Sequence, residues 1–213
     1  MTTAHGLRVP LTADPRLFAE AAALGREVVW LHTYGERFAD PAAGRRHGPP
    51  RLPPGKGPTI PREGAIPDTP EAMPDGDLRH DAATSRLFVG SGPRVGFVAN
   101  VPKAVFDYEV SGKNVLRQWF SYRRKDRSRP VIGDKRPPSP LDKVQPDHWL
   151  PEYTEDLLNL LHVLGRLVRL EPAQNDLLGR VLAGPLISET ALKEAGALPG
   201  ALSSTKPMSA PRT

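Results

Sequence analysis

The amino-acid sequence predicts an α+β fold: a small antiparallel sheet flanked by helices, a helical C-terminal part and a long Pro/Gly-rich loop. Three observations support this prediction. Apolar residues recur at helical spacing near both ends of the chain. Short β-prone runs separated by glycine lie in the middle. The segment 41–77 holds ten prolines and six glycines. We expect one domain over 1–198 and a disordered tail over 199–213.

The first element is a helix. Asp14 is a suitable N-cap, and Pro15 suits the first helical position. Gly35 is a plausible stop. The apolar side chains that should form its buried face are Leu17, Phe18, Ala21, Leu24, Val28 and Leu31. The loop 41–77 follows; its composition predicts little burial and partial disorder.

The central segment predicts a β-hairpin. The run Leu87 to Val89 is stopped by Gly90, Ser91 and Gly92, and the run Val95 to Val98 begins after Pro93 and Arg94. The residues from Phe88 to Gly92 also spell F-x-G-x-G, a pattern found in the cofactor loop of DNA amino-methyltransferases. Such a loop leads into a helix, whereas here a further β-prone run follows, so the hairpin is the preferred interpretation. A third extended piece is expected around residues 105–110.

The segment VSGKNVLRQWFSYRRKD predicts a helix with two different faces, capped by Ser111 or Asn114. Its apolar face carries Val115, Leu116, Trp119 and Phe120; its polar face carries Arg117, Ser121 and Arg124, flanked by Gln118 and Lys125. Arginine pairs with guanine or phosphate, and glutamine can pair with adenine. Two interpretations stay open: a surface that reads the DNA major groove, and an ordinary amphipathic helix with a basic outer face.

Positive charge is concentrated between Lys113 and Arg136. This window of 24 residues has nine basic and two acidic side chains, a net charge of +7, although the whole chain carries only +5. A focused basic patch attracts polyanions; a solvated basic loop is the alternative. The candidate DNA-binding residues are Lys113, Arg117, Gln118, Ser121, Arg123, Arg124, Lys125, Arg127, Arg129, Lys135 and Arg136.

The C-terminal part predicts three helices. The first runs from Pro151 to about Glu171, with a core stripe of Leu157, Leu160, Leu161, Leu164, Leu167 and Val168. Pro172 is expected to break it and to open a second helix that ends near Leu182. Ser188 should cap a short third helix that ends at Gly196.

The sequence shows no catalytic constellation. It contains no cysteine, and its six histidines lack metal-ligand spacing. We therefore expect no catalytic residue, no metal site and no cofactor, and no enzyme activity of the chain on its own. An apolar run of about 18 residues and a signal-peptide core are also missing. These features favour a soluble, cytoplasmic protein that does not associate with membranes.

A resemblance is carried by VFDYEVSGKNVLRQWFSYRRKD, by RPPSPLDKVQPDHWLPEYTEDLLNLLHVLGRLVRLEPAQNDLLGRVLAGPLIS, and by VPLTADPRLFAEAAALGREVVWLHTYGERF near the start. These segments resemble the C-terminal specificity domain of type ISP restriction-modification enzymes over most of residues 7–198. The resemblance implies recognition of a double-stranded DNA target. It also implies nuclease, helicase-like ATPase and adenine methyltransferase parts in the same system, whose motifs this chain lacks. The alternatives are a protein-interaction domain that docks a partner through its Leu-rich helices, and an RNA-binding module.

Overall fold

The structure, a computed structural model, describes residues 9–91, 95–125 and 146–197. The chain divides into two units: Met1–Gly25 with Pro172–Thr213, and Arg26–Glu171. The helices α1 and α4 each run from one unit into the other. The α+β prediction is confirmed, since the described residues combine two small antiparallel sheets with five α-helices.

The first helix, α1, spans Pro15–His32, and its ends follow the predicted signals. The Asp14 carboxylate accepts a hydrogen bond from the Arg16 N–H at 2.8 Å. Gly35 has φ +86°, and its N–H donates to the Trp30 carbonyl at 2.9 Å. A Cβ there would lie 1.9 Å from the Gly48 carbonyl oxygen, so this stop requires glycine.

The N-terminal half of α1 differs from its predicted burial. Leu17, Ala21 and Leu24 are only half-buried, and Phe18 is 57% exposed. The segment 11–13 pairs with 185–187 in the same unit, through hydrogen bonds such as Ala13 N–H to the Pro185 carbonyl at 2.8 Å. The N-terminal half of α1 thus lacks the buried face that its apolar spacing predicts.

A three-stranded antiparallel sheet in the order β1-β2-β3 confirms the predicted hairpin. Its strands are β1 (Arg79–Asp81), β2 (Arg86–Phe88) and β3 (Phe97–Val98). Leu87 pairs with Val98, and the Val89 N–H donates to the Gly96 carbonyl at 2.9 Å. The F-x-G-x-G residues therefore leave a strand that pairs with the next strand; residues 92–94 lie outside the described residues.

The piece expected to be extended over 105–110 is only partly so. A short helix, α2 (Lys103–Phe106), comes first, followed by β4 (Glu109–Val110), which pairs with β5 (Lys113–Asn114). Ser111 and Gly112 join these strands with φ values of +52° and +74°. Positive φ at both central residues is the requirement of a tight two-residue hairpin turn.

Helix α3 is shorter than the predicted Lys113 to Lys125 segment. It spans Val115–Ser121, and Asn114 is its cap, because the Asn114 side chain accepts from the Arg117 N–H at 2.9 Å. The hairpin holds Lys113 in β5, before the helix begins. After the helix, the Lys125 N–H donates to the Pro74 carbonyl at 2.7 Å, which directs the chain away from the helical path.

Helix α4 runs without interruption over Pro151–Ala183, so the predicted break at Pro172 is wrong. An interior proline costs about 3 kcal/mol because it removes one backbone hydrogen bond. Burial on both sides of the proline offsets this cost. Leu157, Leu161 and Leu164 are buried in one unit, and Leu177 and Val181 in the other. The last helix, α5 (Glu189–Glu194), has the predicted cap, with Ser188 Oγ accepting from the Ala191 N–H at 3.1 Å.

The Pro/Gly-rich loop 41–77 buries more than its composition predicts. It contains three short 3₁₀ turns, and its buried residues include Pro50, Pro58, Met73 and Pro74. The backbone comes close enough to α4 for the Leu52 N–H to donate to His162 Nδ1 at 3.0 Å. A Cβ on Gly57 would lie 2.4 Å from the same imidazole. Glycine therefore permits the close packing that holds this loop in place.

The contact between His162 and the loop predicts a pH dependence. Burial lowers the pKa of His162 below its ordinary value of 6.5, and the positive charge of Arg51 lowers it further. Around and just below that pH, the His162 imidazole is protonated to a greater extent in the unfolded chain than in the folded chain. The free energy of unfolding therefore rises with pH in this range. We expect the free energy of unfolding, measured in urea, to fall as the pH drops below about 6.5.

A substitution isolates this contribution. His162→Gln should lose the part of the pH dependence that begins as the pH falls through about 6.5, since its side chain does not titrate. The control His32→Gln removes an exposed histidine at the end of α1 and should retain the dependence. Identical pH profiles for the wild type and His162→Gln would contradict the assignment.

Candidate nucleic-acid interface

Helix α3 is fixed by its inner face. Leu116 and Phe120 are 0% and 1% exposed. The half-buried Trp119 packs edge-on against Trp149, with ring centroids 6.1 Å apart. The predicted apolar face is therefore confirmed as the side that holds the helix in the core.

The opposite side of this region is polar and exposed. We define the α3 strip as five exposed side chains on α3 and at its two ends: Lys113, Arg117, Gln118, Ser121 and Lys125. Within the described ranges, the ammonium groups of Lys113 and Lys125 form no ion pair. The strip thus has an exposed lysine at each end.

Asp77, a residue distant in sequence, contacts two of the predicted arginines. Arg124 Nη1 lies 3.1 Å from the Asp77 carboxylate and donates to the Gly76 carbonyl at 2.7 Å. Arg117 Nη1 lies 3.8 Å from the other Asp77 oxygen, and its guanidinium lies 5.1 Å from the centroid of the Phe106 ring. Both arginine side chains remain accessible, at 47% for Arg117 and 38% for Arg124. Both arginines therefore share one exposed carboxylate and remain at the surface.

The uncharged residues of the α3 strip form hydrogen bonds with neighbouring residues of the same segment. Gln118 Nε2 donates to the Tyr122 hydroxyl at 2.8 Å, and Ser121 Oγ donates to the Gln118 carbonyl at 2.7 Å. Tyr122 is 65% exposed and was not among the predicted site residues. Its position four residues after Gln118 is the helical spacing that brings the two side chains together.

Arg123 has a different environment from the α3 strip. Its guanidinium lies 4.4 Å from the Trp119 ring centroid and 5.5 Å from that of Tyr153. It is also 3.7 Å from the Asp156 carboxylate on α4, and its side chain is 26% exposed. These contacts join α3 to α4, and most of the Arg123 side chain is covered by protein. The remaining candidates, Arg127, Arg129, Lys135 and Arg136, lie outside the described residues.

The described ranges hold no cluster of three or more His, Asp or Glu side chains that could ligate a metal ion. Over the same ranges, none of the helices combines the length and apolar character needed to cross a bilayer.

Comparison with known protein families gives a match. The family model described as Type ISP C-terminal specificity domain matches residues 3–160, about three quarters of the chain. The matched segment includes the whole α3 strip and ends inside α4. No curated protein and no solved structure matches significantly. The chain therefore belongs to the Type ISP C-terminal specificity domain family, which indicates a role in DNA target recognition within a restriction-modification system.

Proposed function

We propose that the chain binds duplex DNA sequence-specifically and that the α3 strip is its reading surface. The observation that carries the proposal is the division of α3 into two faces. Leu116 and Phe120 fix the helix from inside, while Arg117 and Gln118 face solvent. A reading element needs such rigidity, because base-edge hydrogen bonds discriminate only when the side chains are held in register.

The side chains of the strip suit the two tasks of a DNA-reading surface. Arginine matches the two acceptors of guanine, and glutamine matches the donor and acceptor of adenine. Lys113 and Lys125, at the two ends, suit phosphate contacts, which orient a protein without specifying sequence. Seven helical residues span about 10 Å, so α3 reaches about three base pairs.

Catalysis is proposed to reside elsewhere in the same system. In the related enzymes, nuclease, ATPase and methyltransferase parts accompany the specificity domain. This chain would supply the choice of target to them.

The rival protein-interaction proposal has less support. It requires the Leu-rich C-terminal helices to dock a partner. In the structure, Leu157, Leu161, Leu164 and Leu167 are 0–3% exposed and belong to the core of their own unit. These leucines are therefore not available to a partner protein, whereas Leu178 and Leu182 near the end of α4 are 47% and 56% exposed.

A salt series with three ligands tests the proposal. If about five phosphates are neutralised, the logarithm of duplex affinity should fall against the logarithm of salt with a slope of roughly −4 to −5. The assay is fluorescence anisotropy with labelled duplex DNA, single-stranded DNA and double-stranded RNA. A-form RNA has a major groove too narrow for side chains to read, so duplex DNA should bind best. Equal or tighter binding of RNA would favour an RNA-binding module instead.

Asp77→Asn should increase the affinity for DNA. The substitution removes a carboxylate that competes with phosphate for Arg117 and Arg124. One unit charge near a phosphate in water is worth about 1 kcal/mol, so we expect about a fivefold gain in anisotropy titrations. Stability should change by less than about 1 kcal/mol, because the ion pairs are exposed.

Asp68→Asn is the matched control for this substitution. It removes an exposed carboxylate that forms no ion pair within the described residues and makes no contact with the α3 strip there. Its affinity for DNA should change less than that of Asp77→Asn. A loss of affinity in Asp77→Asn would mean that Asp77 mainly orients the arginines.

A further inference from the structure

A second basic surface lies in unit Arg26–Glu171, outside the α3 strip. It is an open groove with a volume of about 530 Å³ between the end of α1, the start of the Pro/Gly-rich loop and α4. The side chains lining it that carry charge or can acquire it are Glu27, Arg46, His47, Arg51, Arg166 and Arg169. Four arginines thus face one carboxylate. We call this surface the arginine groove.

The floor of the arginine groove is held by several contacts. The Arg166 guanidinium lies 4.7 Å from the centroid of the Trp30 ring and 3.2 Å from the Glu27 carboxylate. The Trp30 indole N–H donates to the Arg46 carbonyl at 2.8 Å. Trp30 is 2% exposed, so it is a fixed support for both arginines.

One wall of the groove is stiff because of its sequence. Arg51 lies between the pairs Pro49-Pro50 and Pro53-Pro54, whose rings fix φ. The Arg51 guanidinium donates to the Asn159 side chain, and its carbonyl accepts from Arg166 at 3.5 Å. The wall is therefore attached to α4 and needs little rearrangement to bind a ligand.

The groove retains excess positive charge. Arg46 and Arg169 are exposed, and among the described residues neither forms an ion pair. Glu27 is engaged by Arg166. The field of Arg51 also contributes, after burial, to the lowered pKa of His162. An anionic partner would thus meet little competition from the protein's own carboxylates.

We propose that the arginine groove binds the phosphodiester backbone of the same duplex that the α3 strip reads. This inference rests on the proposed function. All four cations of the groove are arginines, whose planar forks bind phosphate oxygens in pairs. Arg123 fixes α3 against Asp156 of α4, and Arg166 and Arg169 follow 10 and 13 residues further along that helix. The rise along α4 from Asp156 to these two arginines is about 15–20 Å, which is comparable to about five base pairs of duplex.

The test uses the double variant Arg46→Gln/Arg169→Gln, because neither side chain supports the fold through an ion pair within the described part. The matched control is Arg16→Gln/Arg62→Gln, which removes two exposed arginines that do not line the groove. Binding to a labelled 30-base-pair duplex is followed by anisotropy across a salt series. Circular dichroism verifies folding of both variants.

Each lost phosphate contact should reduce the salt slope by about 0.9, so the double variant should have a slope shallower by about 2 than the control. The loss should be similar on every DNA sequence. A slope equal to that of the control overturns the arginine groove and leaves the α3 strip untouched. Conversely, a shallower slope combined with no effect of Arg117 and Gln118 substitutions supports the groove and contradicts the α3 strip.

Two further outcomes complete the test. Failure of the wild-type chain to bind any duplex overturns both proposals. A polyglutamate chain serves as an acidic protein ligand. If it binds as tightly as DNA and is weakened equally by the double variant, the groove is an acidic-peptide site and the phosphodiester proposal is wrong.

Discussion

Trp149→Ala is expected to lower the free energy of unfolding by about 3–5 kcal/mol, as measured by urea denaturation. Trp149 is 1% exposed, and its ring centroid lies 6.1, 6.2 and 5.4 Å from those of Trp119, Phe120 and Tyr153. Its indole N–H donates to Thr154 Oγ1 at 2.8 Å. The truncation therefore removes a large buried surface, several aromatic contacts and one hydrogen bond at the same position.

Two controls separate these contributions. Trp149→Phe keeps an aromatic ring and should cost less than the alanine variant, since it loses mainly the hydrogen bond and part of the volume. Tyr122→Ala removes an aromatic side chain that is 65% exposed and should change stability by about 0.5 kcal/mol or less. If Trp149→Ala cost no more than Tyr122→Ala, the aromatic cluster would not anchor α3.

The parts of the fold that the sequence predicts well are those set by local chemistry. Asp14, Asn114 and Ser188 all cap helices as expected, because a cap needs only one side chain and the next few backbone N–H groups. The Gly90-containing hairpin follows from two short β-prone runs separated by glycine.

The errors concern contacts that are not local. Ser111 and Gly112 suit the start of a helix as well as a hairpin turn, and the pairing of β4 with β5 decides between them. Pro172 opposes a helix locally, yet burial on both of its sides keeps α4 continuous. In both cases tertiary packing overrides a local conformational preference. The packing contacts join distant parts of the chain, so a short stretch of sequence does not reveal them.

The candidate site likewise has a part that local sequence predicts and a part that depends on distant contacts. Helical spacing correctly predicts the solvent-facing side of α3, which carries Arg117 and Gln118. It does not predict that Asp77, about 40 residues earlier, contacts Arg117, or that Arg123 is covered by Tyr153. The arginine groove brings together residues more than 100 positions apart in sequence, in the loop segment 44–54 and in α4, and local spacing does not predict that they meet.

Arg117→Ala and Gln118→Ala are each expected to cost about 1–3 kcal/mol of binding free energy on the cognate duplex and to relax preference at one base pair. Selection from random duplexes at moderate salt identifies that cognate site, and anisotropy then compares it with single-base variants. Both side chains are exposed, so folding stability should change by about 0.5 kcal/mol or less. A change in binding would then reflect lost recognition.

Lys113→Ala provides the contrast, because its exposed ammonium group lies at the end of the α3 strip on β5. As a phosphate contact, Lys113 should contribute equally to all sequences, and its removal should make the salt slope shallower by about one unit. The decisive comparison is how the loss of affinity of each variant depends on the sequence of the duplex. If Arg117→Ala and Gln118→Ala reduce affinity equally for every duplex, as Lys113→Ala should, the α3 strip clamps phosphates. The bases would then be read by other residues, because a phosphate contact carries no sequence information.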